Sequence, residues 1–161
     1  MPQEQHSLHP SVWYMQIHFF ILMSRQGKVR LAKWYSTYSQ KERARVVKET
    51  TPMVLSRPLK LCNFVDWKNI KLVYKRYASL YFLCGVDPSD NELLVLEQIH
   101  HFVECLDSYF GNVCELDLIF NFHKAYYILD EVLIAGGRVW GHPRHAVQHG
   151  PLPTEAVVNG Q

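Results

Sequence analysis

The chain carries no excess of charge of either sign: 17 Lys and Arg stand against 15 Asp and Glu in 161 residues, a formal net charge of +2. That balance is too small to make nucleic acid the main partner, since a polyanionic backbone is held through a large positive surplus. No run approaches the roughly 20 consecutive apolar residues that a membrane-spanning helix needs. The opening residues, MPQEQHSLHPSVWYMQ, lack both a basic start and a continuous apolar stretch, so they do not read as a secretory signal. Any membrane role is therefore expected to be peripheral. Cys62, Cys84, Cys105 and Cys114 form no CxxC pair, and the last three lie in apolar segments. This is the pattern of reduced, buried thiols in a cytosolic protein. GxSxG, HExxH, P-loop and GxGxxG patterns are all missing, and no serine has a recognisable activating context. An enzyme is the least favoured class, and no cofactor is expected.

What is present is a folded domain's composition, 48% hydrophobic and 20% charged. Strand-like runs occupy 17–24 and 28–36, with Gly27 between them able to supply the positive φ of a hairpin loop. Ser39 and Glu42 form a capping box for a helix through Val46 and Val47, which Pro52 should end or kink. KLCNFVDW, NIKLVYKR and ASLYFLCGV read as three further strands. Ser89 and Glu92 suggest a second capping box, opening a helix with Leu93, Leu96, Ile99, Val103, Leu106 and Phe110 in one stripe, stopped near Gly111. The stretch 111–131 reads as one more helix with Leu118, Phe122, Ala125, Leu129 and Val132 on one face. Ile119, Tyr126, Ile128 and Leu133 lie outside that line. The order of elements predicts an α+β domain, an antiparallel sheet covered by helices. Its apolar surface exceeds what one sheet face and one helix layer can bury, which points to a permanent protein partner.

Other candidate chemistries are weaker. His142, His145 and His149 have HxxHxxxH spacing, but they lie in a Gly- and Pro-rich tail with no periodicity to fix a metal geometry, so no metal site is expected. His100, His101 and His123 are isolated from any evident nucleophile. Lys71, Lys75 and Arg76 with Tyr74 and Tyr77 make a basic aromatic patch, which strand alternation should divide between two faces.

RQGKVRLAKWY (25–35), FVDWKNIKLVYKRYASLYF (64–82) and DNELLVLEQIHHFVECLDSYFGNVCELDLIFNFHKAYYILDE (90–131) resemble the sigma small subunit of the heterotetrameric clathrin adaptor complexes. The form is most similar to adaptor protein complex one of the Golgi and endosomes, in its plant versions. The resemblance implies a longin-like fold, a five-stranded antiparallel sheet flanked by helices, spanning 17–136. Residues 1–16 then form a flexible extension, and 137–161 replace the family's further helix with an atypical, disordered tail. Partners implied are a large gamma-type adaptin, which embraces the small chain, a beta-type adaptin and a medium mu subunit. Clathrin and an Arf-type GTPase are engaged indirectly through other subunits, on the cytosolic face of Golgi and endosomal membranes and coated vesicles.

The task implied is recognition of acidic dileucine sorting signals in cargo tails. By residue-by-residue match, Ala78, Leu80, Val103, Val113 and Leu118 line the two leucine pockets, Asn112 is the polar position beside them, and Arg30 is the basic position near the acidic end. Without the resemblance, Leu80, Val103 and Leu118 read as ordinary core residues. The altered ends leave a second reading open, a longin-like regulatory or interfering isoform that does not assemble stably.

Overall fold

Alternation of side chains along the strands decides the architecture. The computed structural model describes residues 15–133 and the backbone of 138–139. Strands β1 (Met15–Ser24), β2 (Val29–Trp34), β3 (Phe64–Trp67), β4 (Ile70–Tyr77) and β5 (Leu80–Val86) form one antiparallel sheet in the order β2-β1-β5-β4-β3. The helices are α1 (Gln40–Leu55), α2 (Glu92–Phe110), α3 (Glu115–Phe120) and α4 (Phe122–Val132). This is the expected α+β architecture of a five-stranded antiparallel sheet flanked by helices. A short strand β6 (Arg138–Val139) pairs with Gln16 and Met15, so β1 begins ahead of the predicted residue 17.

Both faces of the sheet are covered. Ile17, Phe20, Leu22, Val73, Phe82 and Cys84 meet Val95, Ile99 and Phe102 of α2 and Leu129 of α4. Phe19, Ile21, Met23, Leu72, Tyr74 and Leu83 meet Val46 and Val54 of α1. Central strand β5 is buried along its whole length, which explains why LYFLCGV is apolar without alternating. Ile17 and Phe20 share a face because the register of β1 against β5 shifts between Ile17 and Phe19. A bulge there exchanges the two faces of the strand. Gly85 lies opposite Phe19 in the ladder, and a Cβ on it would sit 2.4 Å from the Phe19 ring. Only glycine leaves room for that ring.

Three local expectations differ from the structure. Pro52 lies inside α1, which runs on to Leu55; its ring sits at the exposed surface, and the lost backbone bond does not end the helix. The cap of α2 is Asn91, whose side chain accepts from the Leu93 and Leu94 amides at 2.9 and 3.4 Å, and not Ser89. The buried stripe of α2 is accordingly Val95, Ile99, Phe102, Val103 and Leu106, leaving Leu93 exposed. The stretch 111–131 is two helices, broken where Asn121 adopts φ −126° and ψ 37°. The break turns Phe122 outward while Leu118, Ala125 and Leu129 stay buried.

Of the cysteines expected to be buried, Cys84 is and Cys105 partly is, but Cys62 and Cys114 are exposed, Cys62 on the connection before β3 and Cys114 capping α3 at a surface turn. Burial pushes the Cys84 thiol far up, holding it protonated. The second layer of helices absorbs much of the apolar surplus read from the sequence. Among the large apolar side chains that stay outside, Tyr109, Leu116, Ile119, Phe120, Phe122 and Tyr127 lie on the last three helices, Leu93 starts α2, Leu59 and Leu61 lie between α1 and β3, and Phe64 opens β3.

Candidate functional site

The residues assigned to the leucine pockets come from four parts of the chain. Leu80 opens β5, Val103 lies in the second half of α2, Val113 follows the α2–α3 turn, and Leu118 is in α3. They share one core cluster. Their exposures are 0% for Leu80, 2% for Val103, 3% for Val113 and 1% for Leu118, so the apolar side chains are in contact with each other's surroundings and closed to solvent. Ala78 and Asn112 are exposed.

Both exposed positions have a left-handed backbone, Ala78 at φ 52° and Asn112 at φ 66°. Asn tolerates this region, whereas Ala pays a steric cost of about 1–2 kcal/mol. Such conformations persist where surrounding structure over-determines them, and they cluster at functional sites. At Ala78 the hairpin joining β4 to β5 is tied down by the Arg25 amide donating to the Ser79 carbonyl at 3.1 Å. At Asn112 the determinant is Asp107. Its Oδ1 accepts the Val113 amide at 2.9 Å, its Oδ2 accepts the Tyr77 hydroxyl at 2.8 Å, and its carbonyl accepts the Gly111 amide at 2.8 Å. One carboxylate thus joins the end of β4, the end of α2 and the turn carrying Asn112. Donation to Asp107 raises the Tyr77 pKa above the ordinary phenol value, so the hydroxyl keeps its proton.

Arg30 does not stand free. Its Nε and Nη2 donate to Glu115 Oε1 at 2.9 and 2.6 Å, linking β2 to α3. Beside it Lys33 pairs with Asp130 at 2.8 Å and the Tyr126 hydroxyl donates to the Ala32 carbonyl at 3.1 Å, so α4 is fastened to the same strand. Asp107 and Glu115 are residues that reading the sequence did not single out, and Tyr77 appears there only as part of a basic aromatic patch. Glu115 pairs across 85 positions, and no local pattern signals such a contact.

The remaining candidates resolve into structural roles. Lys71 is buried and donates to Glu92 Oε1 at 2.8 Å and the Asp90 carbonyl at 3.0 Å. That hydrogen bond lowers the Glu92 pKa. Lys75 reaches His100 Nδ1 at 2.9 Å, while Arg76 turns to the Ala78 carbonyl at 3.4 Å, so the basic patch is divided. His100 also pairs with Glu104 at 3.0 Å, His101 lies beside Cys105, and His123 is exposed. His142, His145 and His149 lie outside the described residues. Among the described residues no three His, Cys, Asp or Glu side chains gather as metal ligands.

One constellation has the form of a hydrolytic triad: His18 Nδ1 is 2.7 Å from Ser36 Oγ and its Nε2 is 2.7 Å from Asp87 Oδ1. The nearby amides are occupied, however. Tyr35 and Ser36 both donate their N–H to the His18 carbonyl at 2.9 and 3.1 Å. The amides of Tyr35 and Ser36 are therefore not free to stabilise an oxyanion. The contacts tie the end of β2 and the loop after β5 to β1.

The model of the family described as clathrin adaptor complex small chain matches residues 16–149. The AP-1 complex subunit sigma-2 of Arabidopsis thaliana is 70% identical over 120 residues, 74% of either chain. The AP-1 complex subunit sigma-1 of Schizosaccharomyces pombe is 63% identical over 122 residues, 76% of this chain and 75% of its own. The human AP-1 complex subunit sigma-3 is 62% identical over 120 residues, 74% of this chain and 78% of its own. The fold is similar to a chain in a homology model of the full-length AP-3 complex in a stretched open conformation. The TM-score is 0.63 at 27% identity, covering 82% of this chain and 89% of that one.

Proposed function

Because the chain belongs to the clathrin adaptor complex small chain family, we propose that it is the sigma small subunit of a heterotetrameric adaptor serving vesicle-mediated protein transport. Its partners are a large gamma-type adaptin, a beta-type adaptin and a medium mu subunit. Its work is binding and not catalysis, on the cytosolic face of Golgi and endosomal membranes and of clathrin-coated vesicles. The identity to relatives called AP-1 sigma subunits supports this reading, and no helix among the described residues is long and apolar enough to cross a membrane. The gamma-type subunit covers the apolar surface of Tyr109, Leu116, Ile119, Phe120, Phe122 and Tyr127, which is of the kind that marks protein interfaces.

The chain binds acidic dileucine signals at the junction of β5, α2 and α3. The observation that carries this is the convergence of Leu80, Val103, Val113 and Leu118 in one cluster bordered by exposed Ala78 and Asn112, with Arg30 bonded to α3. Burying two leucines gives about 3–6 kcal/mol, and ordering an extended tail takes much of that back. Capture therefore depends on a second attachment of the complex to the membrane, which raises effective concentration.

Two measurements test the reading. Co-expression with a gamma-type large subunit should yield a complex, and Phe120→Asp should prevent it without unfolding the chain. The assembled complex should bind a fluorescent peptide bearing Glu four residues ahead of Leu-Leu, and not the same peptide with Ser-Ser. Ala78→Asp, at an exposed position, should weaken that binding. Equal affinity for the Leu-Leu and Ser-Ser peptides would overturn the site.

A further inference from the structure

The four apolar side chains assigned to the leucine pockets are closed against solvent, so two leucines can enter only after something moves. Among β5, α2 and α3, the elements that carry the pocket residues, α3 has the thinnest anchorage. It spans six residues, of which Leu118 alone is buried, while Leu116, Ile119 and Phe120 face outward. Irregular backbone flanks it, with Cys114 at φ −133° before it and Asn121 at φ −126° after it. Elements with few buried contacts open at lower free energy than the rest of a domain. The neighbouring parts of the site are held more firmly: Asp107 ties the Val113 amide to α2 and, through Tyr77, to β4.

Besides Leu118, the polar contact that fastens α3 to the sheet is the pair between Arg30 and Glu115. Two Arg30 nitrogens converge on one oxygen, Glu115 Oε1, and the side chains are only 24% and 28% exposed. We propose that this ion pair is a latch: peptide binding requires α3 to swing away from β2, so Glu115 must release Arg30 before the leucine site opens. Glu115 then sets a resistance that every Leu-Leu peptide must overcome, whatever its acidic residue. A peptide whose acidic residue takes over Arg30 replaces the broken pair. A peptide without one leaves Arg30 unpaired and binds against the full resistance of the latch. The preference for an acidic residue comes from its own contact with Arg30, which offsets what opening removes.

This inference rests on the dileucine reading above, and the test separates the two. The assembled complex, with the wild-type chain or Glu115→Gln, is titrated with three fluorescent peptides: Glu with Leu-Leu, Gln in place of that Glu with Leu-Leu, and Glu with Ser-Ser. A partly exposed ion pair corresponds to about a fivefold change in an equilibrium constant. Glu115→Gln should therefore tighten the acid-free Leu-Leu peptide about fivefold, and the acidic one by a similar factor. The acid-free peptide carries the decision, because a local change in net charge does not act on it. Tightening confined to the acidic peptide would show that Glu115 merely competes for Arg30, and the latch would be overturned. No change with either Leu-Leu peptide would overturn it as well. Wild-type binding that ignores the Ser-Ser replacement would remove the dileucine site itself, a distinct failure. Glu115→Ala provides a second variant, and it should tighten the acid-free peptide at least as much as Glu115→Gln.

Discussion

The Tyr77 hydroxyl donates to Asp107 Oδ2 at 2.8 Å, while the other oxygen of that carboxylate accepts the Val113 amide at 2.9 Å. A residue of α2 thereby sets the distance between the β4–β5 hairpin and the turn that leads into α3. The exposed residues of the candidate site, Ala78 and Asn112, sit on the two segments so joined. Removing the carboxylate in Asp107→Ala leaves the Val113 amide without its partner beside a buried side chain, an expected loss of about 1–3 kcal/mol. Tyr77→Phe removes one hydrogen bond and should cost about 0.5–1.5 kcal/mol. Urea unfolding of the variants checks the order, Asp107→Ala being the more damaging.

Gly85→Ala should destabilise the chain by about 1–3 kcal/mol through overpacking, because the added methyl meets the Phe19 ring at 2.4 Å. Phe19→Leu in the same chain should recover part of that loss, which simple additivity would not give. Gly111→Ala tests a different mechanism. It meets no neighbour within 4 Å but sits at φ 65°, so its cost, about 1 kcal/mol, comes from the backbone alone. Thermal melting of these three variants and of Phe19→Leu alone separates the two causes.

Arg30→Glu should weaken an acidic Leu-Leu peptide about fivefold relative to its acid-free counterpart, since attraction at the acidic end becomes repulsion. The difference between the peptides should shrink as salt is raised toward 0.5 M, where exposed charges are screened. Equal losses for both peptides at every salt concentration would mean that Arg30 acts through folding. In this structure such an effect would come from repulsion between the new Glu and Glu115.

The pair between Lys71 and Glu92 predicts a pH dependence. The hydrogen bond from Lys71 holds the Glu92 pKa below its ordinary value, which in an unfolded chain is about 4.3. A depressed folded pKa stabilises the fold above the unfolded value, and that stabilisation is lost as pH falls through the folded one. Glu92→Gln should therefore lower the melting temperature at pH 7, and the gap to the wild-type chain should close as pH falls below about 4. A gap of constant size down to pH 3 would show that the ionisation of Glu92 is not what holds the start of α2.

Val103→Asp, the most direct way to disrupt an apolar pocket, is expected to unfold the chain and not merely to block a ligand. Val103 is 2% exposed, within the cluster that includes Leu80, Phe102 and Leu106, and an unpaired carboxylate there has no compensating donor. A circular dichroism spectrum of this variant should show lost structure, whereas Ala78→Asp should leave it unchanged.

Strand alternation, the Ser39–Glu42 capping box and the glycine after α2 are short-range signals. They were legible in the sequence because a period of two, or a cap bonding its own third residue, needs no distant partner. The capping box stands as read, with Glu42 accepting the Ser39 amide at 2.7 Å. The family motifs were legible for the same reason, being continuous in the chain. Tertiary structure decided where α2 presents its buried stripe, since packing on the sheet and the Lys71–Glu92 pair hold it in place. It also decided that Asn121 interrupts a stretch whose apolar spacing suits one helix. The candidate site divides along the same line. Its apolar members could be named from sequence motifs, but their closure depends on α3 lying against the sheet, and the commitment of Arg30 to Glu115 joins residues 85 positions apart. Contacts of that span arise only when elements pack, so no local periodicity or cap records them.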